Sequence, residues 1–456
     1  MHRFESKIPG RRRGAMELRA VRMDVAYDRD AAVDCDRSAR DAVATRIMLV
    51  LIDRDGPPRV ESFERWSEFA AFIGRTRSLS IDDIEQDPEW QSLTLSFGAR
   101  RQLWVFAQIV NGRLTGYVPM LADNARLMYA LGGAQFASWP VREFRFHLGP
   151  VIGDCEACFF DAWALALRSV IAKRGVVFAK DVPQHSALQI MLASRRGALA
   201  KKFFVLPWGR PSPRCRIRWQ GSVQAYLQSI GHESRRNLKR YAKKLANEPN
   251  LRSEVKRFVA DADAFLRDGA RISVTTYQKQ LYGHTLERGS LAESQVRHAV
   301  KTGAFLGHIL YVNDQPVAYH YGVVRQRVFS VLEMGYDPAW AHHHVGGVLF
   351  YDVLHDLERT QCPIDVLDYM SLVTTFKLRT TNDHRPVCDY YLFPRTVSGA
   401  VQYMTLTATD WVSQFAGDVL ERLHLRSRVE TLLGWRRGRP KPAVESGSRK
   451  QGSGND

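Results

Sequence analysis

The 456-residue sequence contains no run of 18 apolar residues, so no bilayer-spanning helix is expected. Its basic opening, MHRFESKIPGRRRGAMELRA, is not followed by an apolar core, and no secretory signal is expected. Cysteine is sparse, with six residues. Cys155 and Cys158 form one CxxC, but no second pair and no nearby histidine pair completes a zinc site, so ordinary thiols and no metal are the reading. Scattered cysteines without a signal fit a reducing cytoplasm. Neither a Walker GKT/S ending nor GxGxxG occurs, which excludes the two familiar nucleotide loops. Acidic residues are in deficit, 48 against 65 Lys and Arg, for a net charge of +17. That excess points to an anionic partner: coenzyme A, a sugar phosphate, the face of a membrane or RNA.

The length predicts two or three domains. Residues 1–44 read as a disordered basic leader in which Met16 and Met23 offer alternative starts. Residues 45–200 read as a first domain, with a strand at Ile47–Ile52, a helix over Val60–Ile73 and a hairpin turning at Asn111-Gly112-Arg113. A strand at Ala125–Tyr129, a loop through Phe146–Pro150, a helix over Phe159–Arg174 and a strand at Val176–Ala179 complete it. The segment Ala200–Arg218, with Pro207, Pro211 and Pro213, reads as the crossover to a second domain, 201–400. There Ser222 caps one helix. A second helix, Glu233–Asn247, carries Arg235, Arg236, Lys239, Arg240, Lys243 and Lys244 on one face, which serves either as solvated surface or as an anion-binding face. Leu251–Phe258 reads as a strand, and Asp261–Leu266 and Thr275–Leu286 as helices. A last strand at Val387–Phe393, a helical region over 401–435 and a disordered tail, 436–456, follow.

The stretch Ala304–Arg379 organises the second domain. Three apolar runs, Phe305–Val312, Pro316–Val324 and Arg327–Met334, are separated by short polar breaks and predict an antiparallel meander. A loop, Ala341–Gly347, a helix spaced by Leu349, Val353 and Leu357, and a strand at Ile364–Tyr369 come next. Strand, glycine loop and helix form a phosphate cradle, because free N–H groups at the helix start face the anion. His342, His343 and His344 are consecutive and cannot all converge on one metal ion, so they read as loop residues flanking that cradle. Glu333 stands in an otherwise apolar strand, either as an outward-facing residue or as a functional carboxylate. His320, between two tyrosines, raises the same question.

This pattern resembles the core of GNAT acyltransferases. In detail, Tyr336-Asp337-Pro338, Gly346, Asp368 and Phe376-Lys377-Leu378-Arg379 resemble the acetyltransferases of cellulose or exopolysaccharide biosynthesis and the related Fem-type aminoacyltransferases. The resemblance implies an α+β fold of tandem GNAT-like domains, each a mixed, mostly antiparallel sheet flanked by helices, and the hairpins at Asn111 and Asn313 fit such a repeat. It implies an acetyl-coenzyme A or other acyl-coenzyme A donor held by Met334, His343, Val345, Gly346 and Gly347. It implies a saccharide or lipid-linked acceptor with an amine or hydroxyl, and peripheral contact with a membrane is compatible with it. Acyl transfer needs a base. Glu333, Asp368 and His320 are the candidates, with Lys377 placed to hold an anionic group, and Glu333, Asp368 and Lys377 are expected to meet in one cleft. Arg235, Arg236, Lys239 and Arg240 are expected to bind the acceptor, apart from the cradle. Two alternatives stay open: a Fem-type transferase using aminoacyl-tRNA, and a non-catalytic nucleic-acid-binding protein, for which no known motif is present.

Overall fold

Alternating apolar and polar side chains build the strands of one long mixed sheet. β1 (Ile47–Ile52) pairs antiparallel with β2 (Arg59–Phe63) and parallel with β3 (Gln102–Val110). Asn111 and Gly112, both at positive φ, turn β3 back into β4 (Arg113–Leu131), the two-residue geometry that matches strand twist. β5 (Ala134–His147), β6 (Val151–Ile152) and β7 (Gly175–Pro183) follow, with β7 parallel to β5. β8 is Phe203–Arg218, β9 Ser253–Phe258, β10 Phe305–Val312, β11 Gln315–Arg325, β12 Val328–Tyr336, β13 Val366–Asp368 and β14 Asp383–Pro394. The helices are α1 (Trp66–Thr76), α2 (Pro88–Ser92), α3 (Glu156–Val170), α4 (Ala187–Ala193), α5 (Ala198–Lys202), α6 (Val223–Ser229), α7 (His232–Ala246), α8 (Ala262–Ser273), α9 (Leu291–Lys301), α10 (Val345–Arg359), α11 (Thr375–Thr380) and α12 (Val397–Arg422).

This computed structural model describes residues 47–422, apart from 53–57, 64–65, 77, 99, 132–133, 154–155, 172–174, 277–278, 280–282 and 284. The leader, the tail, Cys155 and much of the helix expected at Thr275–Leu286 therefore lie outside the described residues. One compact unit holds the described residues up to Leu127 and Trp139–Met404; the described residues of Met128–Ser138 and from Thr405 onward form a second, smaller one. The candidate site lies in the larger unit.

The strand order is β2-β1-β3-β4-β5-β7-β14-β8-β13-β12-β11-β10-β9. Two halves repeat one plan: β3-β4-β5, α3, β7, and β10-β11-β12, α10, β13, each an antiparallel meander, a helix and a parallel strand. The fold is thus α+β, a large mixed sheet flanked by helices, as the tandem expectation required. The halves are interleaved at their centre. β8, which follows the first half, pairs with β13 of the second, and β14, which follows the second half, pairs with β7 of the first. β8 and β14 then pair with each other.

Several sequence expectations need correction. Ala200–Arg218 is not a bare crossover, because Phe203–Arg218 is β8. Its prolines are tolerated because Pro207, Pro211 and Pro213 precede Arg216–Arg218, where β13 joins, so that stretch has one sheet partner, β14. Val60–Ile73 divides into β2 and α1. Ala125–Tyr129 is part of β4, and Phe146–His147 ends β5, a strand the sequence reading missed around Pro140. α9, capped by Ser290 and with few apolar residues, was also missed.

Three layers of core position the site. α3 packs Phe159, Phe160 and Trp163 on the first half's sheet. α6, α7 and α10 cover one face of the second half. The other face carries α8, α9 and a strap from the first half, residues 80–97, whose Ile84 and Trp90 pack among Phe265, Tyr319 and Tyr321. Arg325 of β11 forms an ion pair with Asp87 of the strap. No helix among the described residues is long and apolar enough to cross a membrane.

Candidate active site

β12 and β13 are parallel, but they pair only from Val328↔Val366 to Ser330↔Asp368, while β12 continues to Tyr336. Past Asp368 the chain stays with β8: Tyr369 N–H donates to the Cys215 carbonyl (2.9 Å), and Cys215 N–H donates to the Met370 carbonyl (3.1 Å). β12 therefore departs, leaving a wedge between Leu332–Tyr336 and Tyr369–Ser371. A bulge helps it, because Tyr321 faces Glu333 while Gly322 faces Val331, leaving Leu332 extra. In the first half the matching strands do not part. β5 and β7 remain paired through His147↔Lys180, and Leu148 N–H donates to the Lys180 carbonyl (2.9 Å).

Beyond the wedge, α10 begins. The expected loop Ala341–Gly347 is instead a 3-10 turn at Pro338–His343, a left-handed His344 and the first turn of α10, so Val345, Gly346 and Gly347 are helical. Gly347 and Val348 donate to the His344 carbonyl, which leaves the Val345 and Gly346 N–H groups at the open end of the helix. A Cβ on Gly346 would meet Tyr336 at 3.1 Å, and one on Gly347 would meet Tyr241 at 3.3 Å. The glycines thus let β12 and α7 close on the helix start. The His344 ring stacks on Tyr241 with centroids 3.9 Å apart. Burial, then Lys244 and Arg240, keeps His344 below the usual imidazole range. His343 Nδ1 is buried without a hydrogen-bond partner. An open helix end, glycines, Arg240 and Lys244 make a set that fits a pyrophosphate. The expectation that the basic helix lies apart from the cradle is corrected here, since Tyr241 carries Arg240 and Lys244 to the cradle's edge. Arg236, Lys239 and Arg240 are exposed on the same helix, and Arg235 is half-buried.

The four expected chemical residues do not gather. Asp368 is 1% exposed. Its carboxylate accepts from Arg214 Nε (2.9 and 3.1 Å) and Met370 N–H (2.8 Å), and Arg216 lies 3.5 Å away. Lys377 Nζ donates to the Tyr369 carbonyl (2.7 Å). Burial brings its ammonium down to about 8, with Cys215 and Asp368 opposing. Asp368 and Lys377 thus share one neighbourhood at the strand end. Glu333 is bound elsewhere on the sheet, accepting from Tyr319 OH (2.8 Å) and Tyr321 OH (3.3 Å). His320 is wholly buried, with Nε2 3.2 Å from Tyr369 OH. The tyrosines of β11 hold Glu333 while Arg214 holds Asp368, so each carboxylate has its own hydrogen-bond partners.

Burial, and then the nearby His308, hold the His320 imidazole near 3, so it is neutral in the fold. An unfolded histidine titrates near 6.5, so between these values the unfolded chain binds the extra proton and stability falls as pH falls. Relative to His320→Gln, the wild type should lose stability below pH 6 with a slope approaching about 1.4 kcal/mol per pH unit. Urea unfolding of both proteins from pH 7 to 4 checks this; parallel curves would refute it.

The sequence reading missed Arg214, Asp83 and Glu85. Arg214 bridges Asp368 and Asp83 of the strap in a buried cluster. The signal was present: Cys215 and Ile217 alternate with Arg214, Arg216 and Arg218, the period of a strand with one charged face. Among the described residues no cluster of three or more His, Cys, Asp or Glu side chains is arranged to hold a metal ion.

Residues 232–378, from α7 into α11, match the family described as "Acetyltransferase (GNAT) domain". No curated protein matches the chain. Among solved structures it is similar to FemX (11% identity, 71% of this chain and 95% of that one, TM-score 0.47). It is also similar to the C-terminal domain of a putative lysylphosphatidylglycerol synthetase from Agrobacterium fabrum (11%, 74% and 96%, TM-score 0.43). A third is a tandem GNAT protein from the clavulanic acid biosynthesis pathway (9%, 71% and 93%, TM-score 0.38).

Proposed function

We propose that the protein moves an acetyl or similar acyl group from acyl-coenzyme A, seated in the second half, to an amine or hydroxyl of a saccharide or lipid-linked intermediate in polysaccharide or envelope synthesis. The observation that carries the donor assignment is the parting of β12 from β13 in front of the α10 N-terminus. In this reading the β12 edge past Ser330 receives the pantetheine arm. Val345 and Gly346 N–H, Arg240 and Lys244 receive the pyrophosphate, with His343 beside them. Asp368 acts through Arg214 as a brace, and Lys377 holds the strand end. The acceptor class rests on the sequence resemblance.

Acetyl-coenzyme A should raise the melting temperature. At a hundredfold excess over Kd the stabilisation is about 2.7 kcal/mol. Gly346→Asp should abolish the rise, because its side chain would place bulk and negative charge at the helix end. Arg240→Ser with Lys244→Ser should weaken it. A folded protein with no shift at millimolar ligand would sink the donor assignment.

A second reading, an aminoacyl-tRNA donor, draws on the exposed Arg236, Lys239, Arg240, Lys243 and Lys244 of α7. Steeply salt-dependent tRNA binding, lost in the serine variants, together with indifference to acetyl-coenzyme A, would favour it.

A further inference from the structure

α12 starts where β14 ends, and only one of its faces is covered. Tyr403 stacks on Phe204 of β8 (5.4 Å between centroids), and Gln402 and Leu406 are buried beside it. The opposite face is apolar and open. Val397 is 84% exposed, Val401 50% and Met404 68%, and their spacing of four and three puts them on one stripe. Aliphatic side chains so exposed in a row mark a surface that is covered in use. Farther along the helix, in the smaller unit, Trp411 and Phe415 are also exposed, and their rings stack on each other (5.7 Å).

The start of this stripe is tied to a basic corner. Arg395, two residues before Val397, donates from its backbone N–H to the Lys202 carbonyl (3.1 Å) and from Nε to the Ala200 carbonyl (2.9 Å), both at the end of α5. Its guanidinium lies over the Phe204 ring, and the residue is exposed. α5 is joined to α4 through Leu188, Leu192 and Leu199, which share one core. Arg195 and Arg196, between the two helices, and Lys201 of α5 are exposed. Among the described residues no ion pair holds these three. The sequence has no Asp or Glu between Asp181 and Glu233, and the first acid of α12 is Asp410, in the smaller unit. Ile190 of α4 adds a further exposed apolar side chain.

We propose that this corner of α5 and α12 docks on the face of an anionic bilayer, with Val397, Val401 and Met404 entering the headgroup boundary and Arg195, Arg196 and Lys201 set against lipid phosphates. Exposed aliphatic side chains next to uncompensated cations are the two attractions such a surface offers. Charge decides against a second copy as the occupant. A copy would bring the same cations to the contact, on a chain of net charge +17. The apolar stripe decides against nucleic acid, whose phosphates gain nothing from valine and methionine. The inference does not rest on the donor reading. Combined with that reading, it brings the protein to the bilayer in which a lipid-linked acceptor resides.

The test measures co-sedimentation of the full chain with two kinds of vesicle at about 0.15 M ionic strength. One kind is phosphatidylcholine and phosphatidylglycerol in equal parts, the other phosphatidylcholine alone. The expected result is binding to the mixed vesicles that weakens as salt is raised, and far weaker binding to the neutral ones. Arg195→Gln with Arg196→Gln and Lys201→Gln should weaken the partition about a hundredfold, at about fivefold for each charge. Val397→Ser with Met404→Ser should weaken it about tenfold or more while leaving its salt dependence in place. All five side chains are exposed, so the melting temperature without vesicles should hold. The two variants alter different elements, and a fold defect in one leaves the other to decide. Arg236→Gln with Lys239→Gln, on the basic face of α7, should bind mixed vesicles as the wild type does. No binding to mixed vesicles, equal binding to both kinds, or undiminished binding by either folded variant overturns the proposal. A loss in the α7 variant as large as in the Arg195, Arg196 and Lys201 variant overturns it too. So does a dimer that Val397→Ser with Met404→Ser dissolves while vesicles go unbound, which would make a second copy the occupant. Binding of tRNA in place of vesicles, lost with the three cations, would make the corner a nucleic-acid surface and overturns it equally.

Discussion

Arg214→Met should destabilise the protein by about 3–5 kcal/mol, because it leaves the buried Asp83 without its cation and the buried Asp368 with Arg216 alone, 3.5 Å away. Asp83 and Asp368 are each 1% exposed at the side chain and both bind this one guanidinium. Burial by itself would raise the Asp83 carboxyl, but Arg214 outweighs it and holds Asp83 below its ordinary value. Without Arg214 the burial effect should prevail, so Asp83 should take up a proton more readily. The penalty should therefore shrink as pH falls toward 4, where the orphaned Asp83 takes up its proton. Adding Asp83→Asn and Asp368→Asn to Arg214→Met should restore much of the loss, since a neutral trio carries no unpaired charge. Urea midpoints at pH 7 and 4.5 for the single and triple variants read this directly. A single-variant loss under about 1 kcal/mol would mean the cluster is hydrated rather than buried.

Trp90→Ala should cost a comparable amount, about 3–5 kcal/mol, through the cavity it opens. Trp90 is 2% exposed and packs in one cluster with Ile84, Phe265, Tyr319 and Tyr321; its ring also meets His298 edge-on. The functional consequence should exceed the loss of stability. The strap would lose its anchor on the second half, and with it the placement of Asp83 and Glu85. Amide exchange over residues 82–92 should rise in the variant well before the protein unfolds globally, while acetyl-coenzyme A stabilisation, which depends on β12 and α10, should persist. Unchanged exchange in the strap would show that Asp83 and Asp87 hold it without the tryptophan.

Both predictions concern residues far apart in sequence, and that separation marks the limit of what could be read beforehand. The meander from Phe305 to Tyr336 was legible because its strands are local, each apolar run ending at a polar two-residue turn such as Asn313-Asp314 or Gln326-Arg327 that takes positive φ. The α10 period of Leu349, Val353 and Leu357 was legible for the same reason: the buried face of one helix is written in one stretch. The basic face of α7 and the need for glycine at 346 were visible too, though not that Tyr241 would press α7 against the α10 start.

By itself, the sequence determined the α+β repeat, the strand–helix–strand unit of the second half and the excess of cationic charge, because each depends on neighbours within a turn or a hairpin. The tertiary structure alone decided the interleaving of β8 with β14, since strand exchange leaves no local periodicity. It also decided the roles of the carboxylates. Glu333 was prominent as an acid in an apolar strand, but the hydroxyls of Tyr319 and Tyr321 hold it. Asp368 was expected as a base, but Arg214 from 154 positions earlier fills its lone pairs. Glu85 gave no sign in an ordinary acidic stretch. Its raised carboxyl comes first from burial, which exists only once the strap crosses to the other half of the molecule.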